Sequence, residues 1–217
     1  MLTQAQPHRA FREPTEDELA LRRWLGLLLS AGWMVPQTSG AKTPVVKLVV
    51  KLFNYAEISP QVLAGAEREA VRVYREAGIL LSWVECGLSE QDTEKFLACE
   101  QVNDPFGLFV NIIGQPMAVR LPRPGKFAVS FERHAVVFYR LVEGAAEDGR
   151  FSKALILGCV MAHELGHLLL GENSHATGIM RGTFRRQDFE RAEKGKLVFT
   201  QHQAEAMQAR ILKRLSQ

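Results

Sequence analysis

The sequence predicts an α/β (α+β) domain with a small mixed, twisted sheet, an early helix, a buried helix after the sheet and a mostly helical C-terminal tail. Three observations predict this fold. Runs rich in β-branched residues recur along the first two thirds of the chain. A helical pattern separates the first two runs, and a long apolar segment follows the last one. The 217 residues are 47% hydrophobic and 24% charged, as in an ordinary soluble globular domain.

The first elements form a strand–helix–strand unit. Val45 to Phe53 is a β-branched strand interrupted only by lysines. Ser59 is the expected cap of a helix with Pro60 in its first turn, and Gly78 ends that helix. Ile79 to Val84 is the next strand. A strand that returns through a helix favours parallel pairing with its predecessor.

Three more strands are predicted in the middle of the chain. They are Leu108 to Ile113, Phe127 to Phe131 and Ala135 to Leu141, with a loop at Ala118 to Pro124 and a turn at Glu132-Arg133-His134. We expect either Leu108 to Ile113 or Ala135 to Leu141 to be the sheet edge.

Helices are predicted for the rest of the chain. The longest runs from Ser152 to Leu170, with Ser152 as its cap and Gly171 as its end. Shorter helices follow near Phe184 to Lys194 and Gln201 to Leu215.

The N-terminus has the layout of a secretory signal, so residues 1–41 are expected to be a leader and 42–217 a single domain. Arg22 and Arg23 precede an uncharged apolar run, Trp24 to Val35, and the small residues Ser39-Gly40-Ala41 follow it. The run is too short for a stable transmembrane anchor. The alternative is an amphipathic N-terminal helix that starts at Pro14 to Glu18. Export to the periplasm or medium is the expectation.

The charge distribution and the cysteines indicate which binding partners, disulfides and metal sites are expected. The net charge of +3 is scattered, and Arg185-Arg186 fits a solvated helix face, so no nucleic acid is expected. In an exported protein Cys86 and Cys99 could form a disulfide, whereas Cys159 lies in an apolar helix and is expected in the core. No C-x-x-C pair occurs, which gives no support to a cysteine-based zinc site.

Polar residues interrupt the apolar helix at one place, His163-Glu164-x-x-His167. The two histidines are four residues apart and project from one face, so that both can bind one zinc ion. Glu164 is rotated about 100° away and is placed to take a proton from a water molecule. H-E-x-x-H is a zinc peptidase motif. The alternative is a core helix whose histidines bond to neighbouring carbonyl groups.

The residues after the helix resemble the metzincins, in which Gly, a third His and a Met-containing turn follow the motif. Gly171, His175 and Gly178-Ile179-Met180 stand in that order. The resemblance implies one zinc ion held by His163, His167 and His175, Glu164 as the base, and Met180 as the Met-turn residue. The spacing departs from the usual H-E-x-x-H-x-x-G-x-x-H, because Gly171 comes one residue late and His175 two residues late. The chain also looks similar to bacterial proteins with the phrase HELGHLLLG…H…GIM.

Other ligands are possible in principle. Glu172 follows the helix end and is expected to face water, and a gluzincin-like scheme would use Asp188 or Glu190 instead of His175. His134 and His202 are expected at the surface, and His8 belongs to the leader.

The expected activity is hydrolysis of peptide bonds in a peptide or protein substrate by a zinc-dependent endopeptidase. The alternatives are a zinc-binding interaction module without activity and a zinc hydrolase of a non-peptide bond.

Overall fold

The computed structural model describes residues 46–89, 91–102, 106–115, 127–171 and 173–216. All of them belong to one compact unit, 44–217. The predicted leader with His8, the predicted loop at Ala118 to Pro124, and Glu172 lie outside the described residues.

The described strands form one five-stranded sheet. They are β1 (Val46–Asn54), β2 (Ile79–Glu85), β3 (Leu108–Ile113), β4 (Ala128–Phe131) and β5 (His134–Phe138). Their order is β2-β1-β3-β5-β4. Only β4 runs antiparallel to its neighbour, and β1 pairs in parallel with both β2 and β3. The predictions of a mixed sheet and of a parallel first pair are therefore confirmed.

Six α-helices are described. They are α1 (Pro60–Glu76), α2 (Thr93–Gln101), α3 (Tyr139–Ala145), α4 (Lys153–Leu170), α5 (Arg186–Glu193) and α6 (Gln201–Leu215), with a 3-10 turn at Gly178–Met180. Together with the sheet they confirm the α/β fold class.

Local signals set the ends of α4. The Ser152 hydroxyl accepts a hydrogen bond from the Leu155 amide at 3.1 Å, which satisfies one of the free donors of the first turn. Gly171 follows the last residue with φ 104°, a backbone conformation that disfavours a side chain. By length and composition α4 could span a membrane, but most of it is buried inside this unit, as in the core helix of a globular domain.

Helices α1 and α4 pack against one face of the sheet and against each other. Alternate residues of β1, including Leu48, Val50 and Leu52, are buried in the same hydrophobic core. The two helices approach closely because small residues stand at their crossing. A Cβ on Gly65 would lie 2.7 Å from Ala154 Cβ. The same core contains Cys159, which is buried and unpaired as predicted.

On the opposite face, aromatic rings form a row across the sheet. The centroid of the Phe109 ring in β3 lies 4.7 Å from that of His134 in β5, and the His134 centroid lies 5.7 Å from that of Phe131 in β4. This spacing follows the separation of neighbouring strands. His134 is thus half-buried in a strand and the prediction that it lies in a surface turn is wrong. The hairpin turn consists of Glu132, with φ 49°, and Arg133.

The predicted strand Ala135 to Leu141 is also wrong beyond Phe138, because α3 begins at Tyr139. No turn residue marks this change, and Val142 reaches the core from the helix. The Lys153 ammonium forms a 3.0 Å ion pair with Glu143, which joins α3 to the start of α4. Tertiary packing therefore decides the conformation here.

Helix α2 was not predicted, since its residues suggested a loop. It carries no buried side chain. A disulfide between Cys86 and Cys99 attaches α2 to the end of β2. The disulfide holds α2 against the domain, because the weak apolar face of this helix provides little packing.

Candidate metal centre

Three histidines converge at the C-terminal end of α4. His163 and His167 are buried on that helix, and His175 comes from the exposed loop after it. The His167 Nε2 atom lies 3.0 Å from His163 Nε2 and 3.0 Å from His175 Nε2. One nitrogen from each ring lies within 4.8 Å of the others. The cluster is therefore capable of binding a metal ion.

The outer nitrogens of the two helical histidines show where their protons lie. His163 Nδ1 is 2.8 Å from the Ile179 carbonyl oxygen, which only accepts, so Nδ1 donates. His167 Nδ1 is 3.0 Å from Ser174 Oγ, and this hydroxyl donates its own proton to the Gly171 carbonyl oxygen at 2.6 Å. His167 Nδ1 must therefore also donate. In neutral rings both Nε2 atoms then carry lone pairs.

The two lone pairs show whether the cluster fits a metal ion. Two unprotonated nitrogens 3.0 Å apart cannot hydrogen-bond to each other, and a cation between them removes their repulsion. Tetrahedral zinc with bonds of 2.0–2.1 Å would hold two nitrogens about 3.3 Å apart, close to what is observed. Burial lowers the pKa of His163 to about 4, which keeps this ring in the neutral, metal-binding form at neutral pH. The residues present fit zinc.

Glu164 lies beside the imidazole cluster and is buried. One of its carboxylate oxygens is 3.9 Å from His163 Nε2, the nitrogen that faces the other histidines. Its position one residue after His163 turns it by about 100° from the face that the two histidines share. The carboxylate is thus adjacent to the three-histidine cluster.

The turn that contains Met180 packs against the C-terminal half of α4. Its Ile179 carbonyl orients His163, and Met180 is fully buried. A Cβ on Gly166 would lie 2.5 Å from the Met180 sulfur, so the methionine packs against the backbone just before His167. Met180 therefore packs against the segment of α4 that lies between His163 and His167.

Two further residues enclose the cluster. The His175 ring lies against Gly182, where a Cβ would approach the ring atoms to 3.3 Å. The Phe184 ring meets His163 edge-on at 5.4 Å between centroids. The sequence analysis predicted neither residue. It also did not predict the hydrogen bond between Ser174 and His167, because the sequence shows Ser174 only as a polar loop residue.

The rival carboxylates are engaged elsewhere. Asp188 is buried at the start of α5, where it accepts from the Arg185 amide at 2.8 Å and lies 3.2 Å from the Arg181 side chain. Glu190 pairs with Arg186 at 2.9 Å at the surface. Among the described residues, the group of possible ligands contains the three histidines alone.

The two remaining predictions on surface residues agree with the structure. His202 is exposed on α6, and both Arg185 and Arg186 are exposed at the start of α5.

No family model matches the chain, and no curated protein matches it. Among solved structures, the fold is similar to archaemetzincin from Methanopyrus kandleri, with a TM-score of 0.46, 15% identity and coverage of 85% of this chain and 100% of that chain. It is also similar to a zinc-dependent peptidase from Methanocorpusculum labreanum (strain Z), with a TM-score of 0.45, 13% identity and coverage of 73% and 99%.

Proposed function

We propose that this chain is a zinc-dependent endopeptidase of the metzincin type. One zinc ion would be held by His163, His167 and His175, with Glu164 as the general base and Met180 as the Met-turn residue. The observation that carries the proposal is the convergence of the three Nε2 atoms. When the His163 and His167 rings are neutral, each donates from its Nδ1 atom to another group, so that its Nε2 atom carries a lone pair.

The chemistry requires an acid–base group beside the metal. A bound zinc ion would supply Lewis-acid polarisation of the substrate carbonyl and of a water molecule. The Glu164 carboxylate takes a proton from the water whose oxygen attacks the carbonyl carbon, and it delivers that proton to the amine nitrogen when the C–N bond breaks. The burial of Glu164 and its 3.9 Å distance to His163 Nε2 support this role.

An extended peptide substrate can bind by pairing with an edge strand of the sheet, where backbone groups are free. The sequence-based expectation of β3 or β5 as the edge is wrong, since both are interior strands. The edges are β2 and β4. Strand β4 contacts α4, which carries the histidines, whereas β2 packs against α1 and α2. The outer side of β4 is therefore our proposed place for an extended peptide to add as a sixth strand.

Export is part of the proposal. The Cys86–Cys99 disulfide supports it, because such bonds persist in oxidising compartments. N-terminal sequencing of protein from its native host tests this point, and a mature chain that begins near Lys42 is the expected result. An intact Met1 in a cytosolic fraction would contradict it.

The test of the activity combines metal analysis with a peptide-library cleavage screen. We expect about one zinc per chain and cleavage by the wild type, loss of cleavage with retained zinc in Glu164→Gln, and no change in the control His202→Ala. A protein that holds zinc and cleaves no peptide would be a binding module or a hydrolase of another bond. A protein that holds no metal would refute the site itself.

A further inference from the structure

Ser174 stands directly before the third histidine, in the loop that is longer than the usual metzincin spacing. Its half-buried side chain makes two hydrogen bonds at once. The hydroxyl accepts from His167 Nδ1 at 3.0 Å and donates to the Gly171 carbonyl oxygen at 2.6 Å. One side chain thus connects a histidine of the cluster, the end of α4 and the loop that leads to His175.

The direction of these bonds determines the tautomer of His167. A hydroxyl has one proton, and the Gly171 carbonyl takes it, so His167 must place its own proton on Nδ1. A free neutral imidazole prefers the proton on Nε2, which would point it at His163 and His175. The Gly171 carbonyl is itself a second acceptor for His167 Nδ1, but at 3.4 Å it is near the limit for a hydrogen bond.

The same hydroxyl also shapes the loop. Its bond to Gly171 joins residues three apart and folds the chain back onto the end of α4. His175 follows at once and brings its Nε2 to 3.0 Å from His167 Nε2. The contact therefore accounts for how a loop with two additional residues still delivers the third imidazole.

We infer that Ser174 is a positioning residue of the metal centre, which keeps His167 Nε2 unprotonated and holds the loop that presents His175. The inference rests on the metal site of the proposed function. It does not depend on peptide hydrolysis.

Three variants test it. Ser174→Ala removes the hydroxyl, Ser174→Thr retains it, and Asn173→Ala changes the exposed preceding residue as a matched control. The zinc dissociation constant is measured by competition with a chelator. The His167 tautomer is read in the metal-free proteins from long-range ¹H–¹⁵N spectra of the ring nitrogens, after thermal unfolding has verified that each variant is folded.

We expect Ser174→Ala to weaken zinc binding by roughly 10- to 100-fold, the usual effect of removing a hydrogen-bond partner of a ligand. We also expect it to move the His167 proton partly to Nε2. Ser174→Thr should restore both properties, and Asn173→Ala should match the wild type.

Two results would overturn the inference. One is a folded Ser174→Ala with zinc affinity within twofold of the wild type and an unchanged tautomer. The other is equal weakening in Ser174→Thr, which would show that loop shape matters and the hydroxyl does not. Wild-type protein that binds no zinc would instead refute the proposed metal site, while the metal-free spectra would still show whether Ser174 fixes the tautomer. Failure to cleave peptides would not affect the measurements of zinc affinity and of the His167 tautomer.

Discussion

Replacing Gly158 by alanine should destabilise the protein, although alanine is the better helix former. Gly158 lies in α4 where it crosses α1. A Cβ at this position would lie 2.6 Å from Glu69 Cβ and 2.7 Å from the Ala66 carbonyl oxygen. Neither atom belongs to the far end of a flexible side chain. The helices must therefore separate until these distances approach about 3.4 Å, which disturbs the packing of the core.

The magnitude follows from two opposed effects. Overpacking of a filled core costs about 1–3 kcal/mol, and replacing glycine by alanine inside a helix gains at most about 1 kcal/mol. Because both contacts are with the helix framework, we expect the upper part of that range and a net loss of about 2 kcal/mol. For a domain of this size that corresponds to a fall in Tm of roughly 4–8 °C.

The assay is urea and thermal unfolding of Gly158→Ala beside a matched control, Gly144→Ala in α3. A Cβ on Gly144 would meet nothing within 4 Å among the described residues, so only the gain in helix propensity remains. The two variants should shift the free energy of unfolding in opposite directions. Equal shifts, or a Gly158→Ala protein as stable as the wild type, would refute the packing argument.

Four other outcomes are expected. Glu164→Gln should retain zinc and lose peptide hydrolysis by roughly 10²–10⁴-fold in kcat, because the water loses its proton acceptor. His175→Ala should weaken zinc binding in a chelator competition, whereas Glu190→Ala should not. Cys99→Ser should lower the free energy of unfolding in urea by roughly 3 kcal/mol, since the broken disulfide closes a loop over a separation of 13 residues. Burial and a neighbouring carboxylate raise the pKa of Glu67 to about 7, and its buried Oε1 has no hydrogen-bond partner among the described residues. The stability of the wild type relative to Glu67→Gln should therefore fall as pH rises from about 4.5 through 7, and a difference independent of pH would contradict this.

The sequence predicts the local parts of the fold well. Gly78 and Gly171 end their helices as expected, because helix termination depends on the residues at the terminus. Strand order is not local. Nothing in β3 or β5 shows that each lies between two other strands, since that depends on where the later strands return to the sheet. The same holds at Tyr139, where an apolar pattern continues while the backbone changes from strand to helix.

The candidate site also has features that the sequence predicts and features that it does not. The four-residue spacing of His163 and His167 predicts their common face because helical geometry fixes it. The place of His175 came from resemblance to a family, and the structure brings its imidazole to the other two. Ser174 and Gly182 act through contacts across a loop, and no spacing rule predicts such contacts.

The three histidines of the cluster are separated by only four and eight residues along the chain. A site assembled from distant segments exists only after folding, but this short stretch retains all three imidazoles when the protein unfolds. The unfolded chain can therefore also bind zinc. A zinc ion bound at the proposed site would then stabilise the native state by the difference between its two binding free energies, which is less than the native affinity alone would give. The rise in Tm with zinc concentration thus measures how far α4 and its loop organise the ligands before the metal arrives.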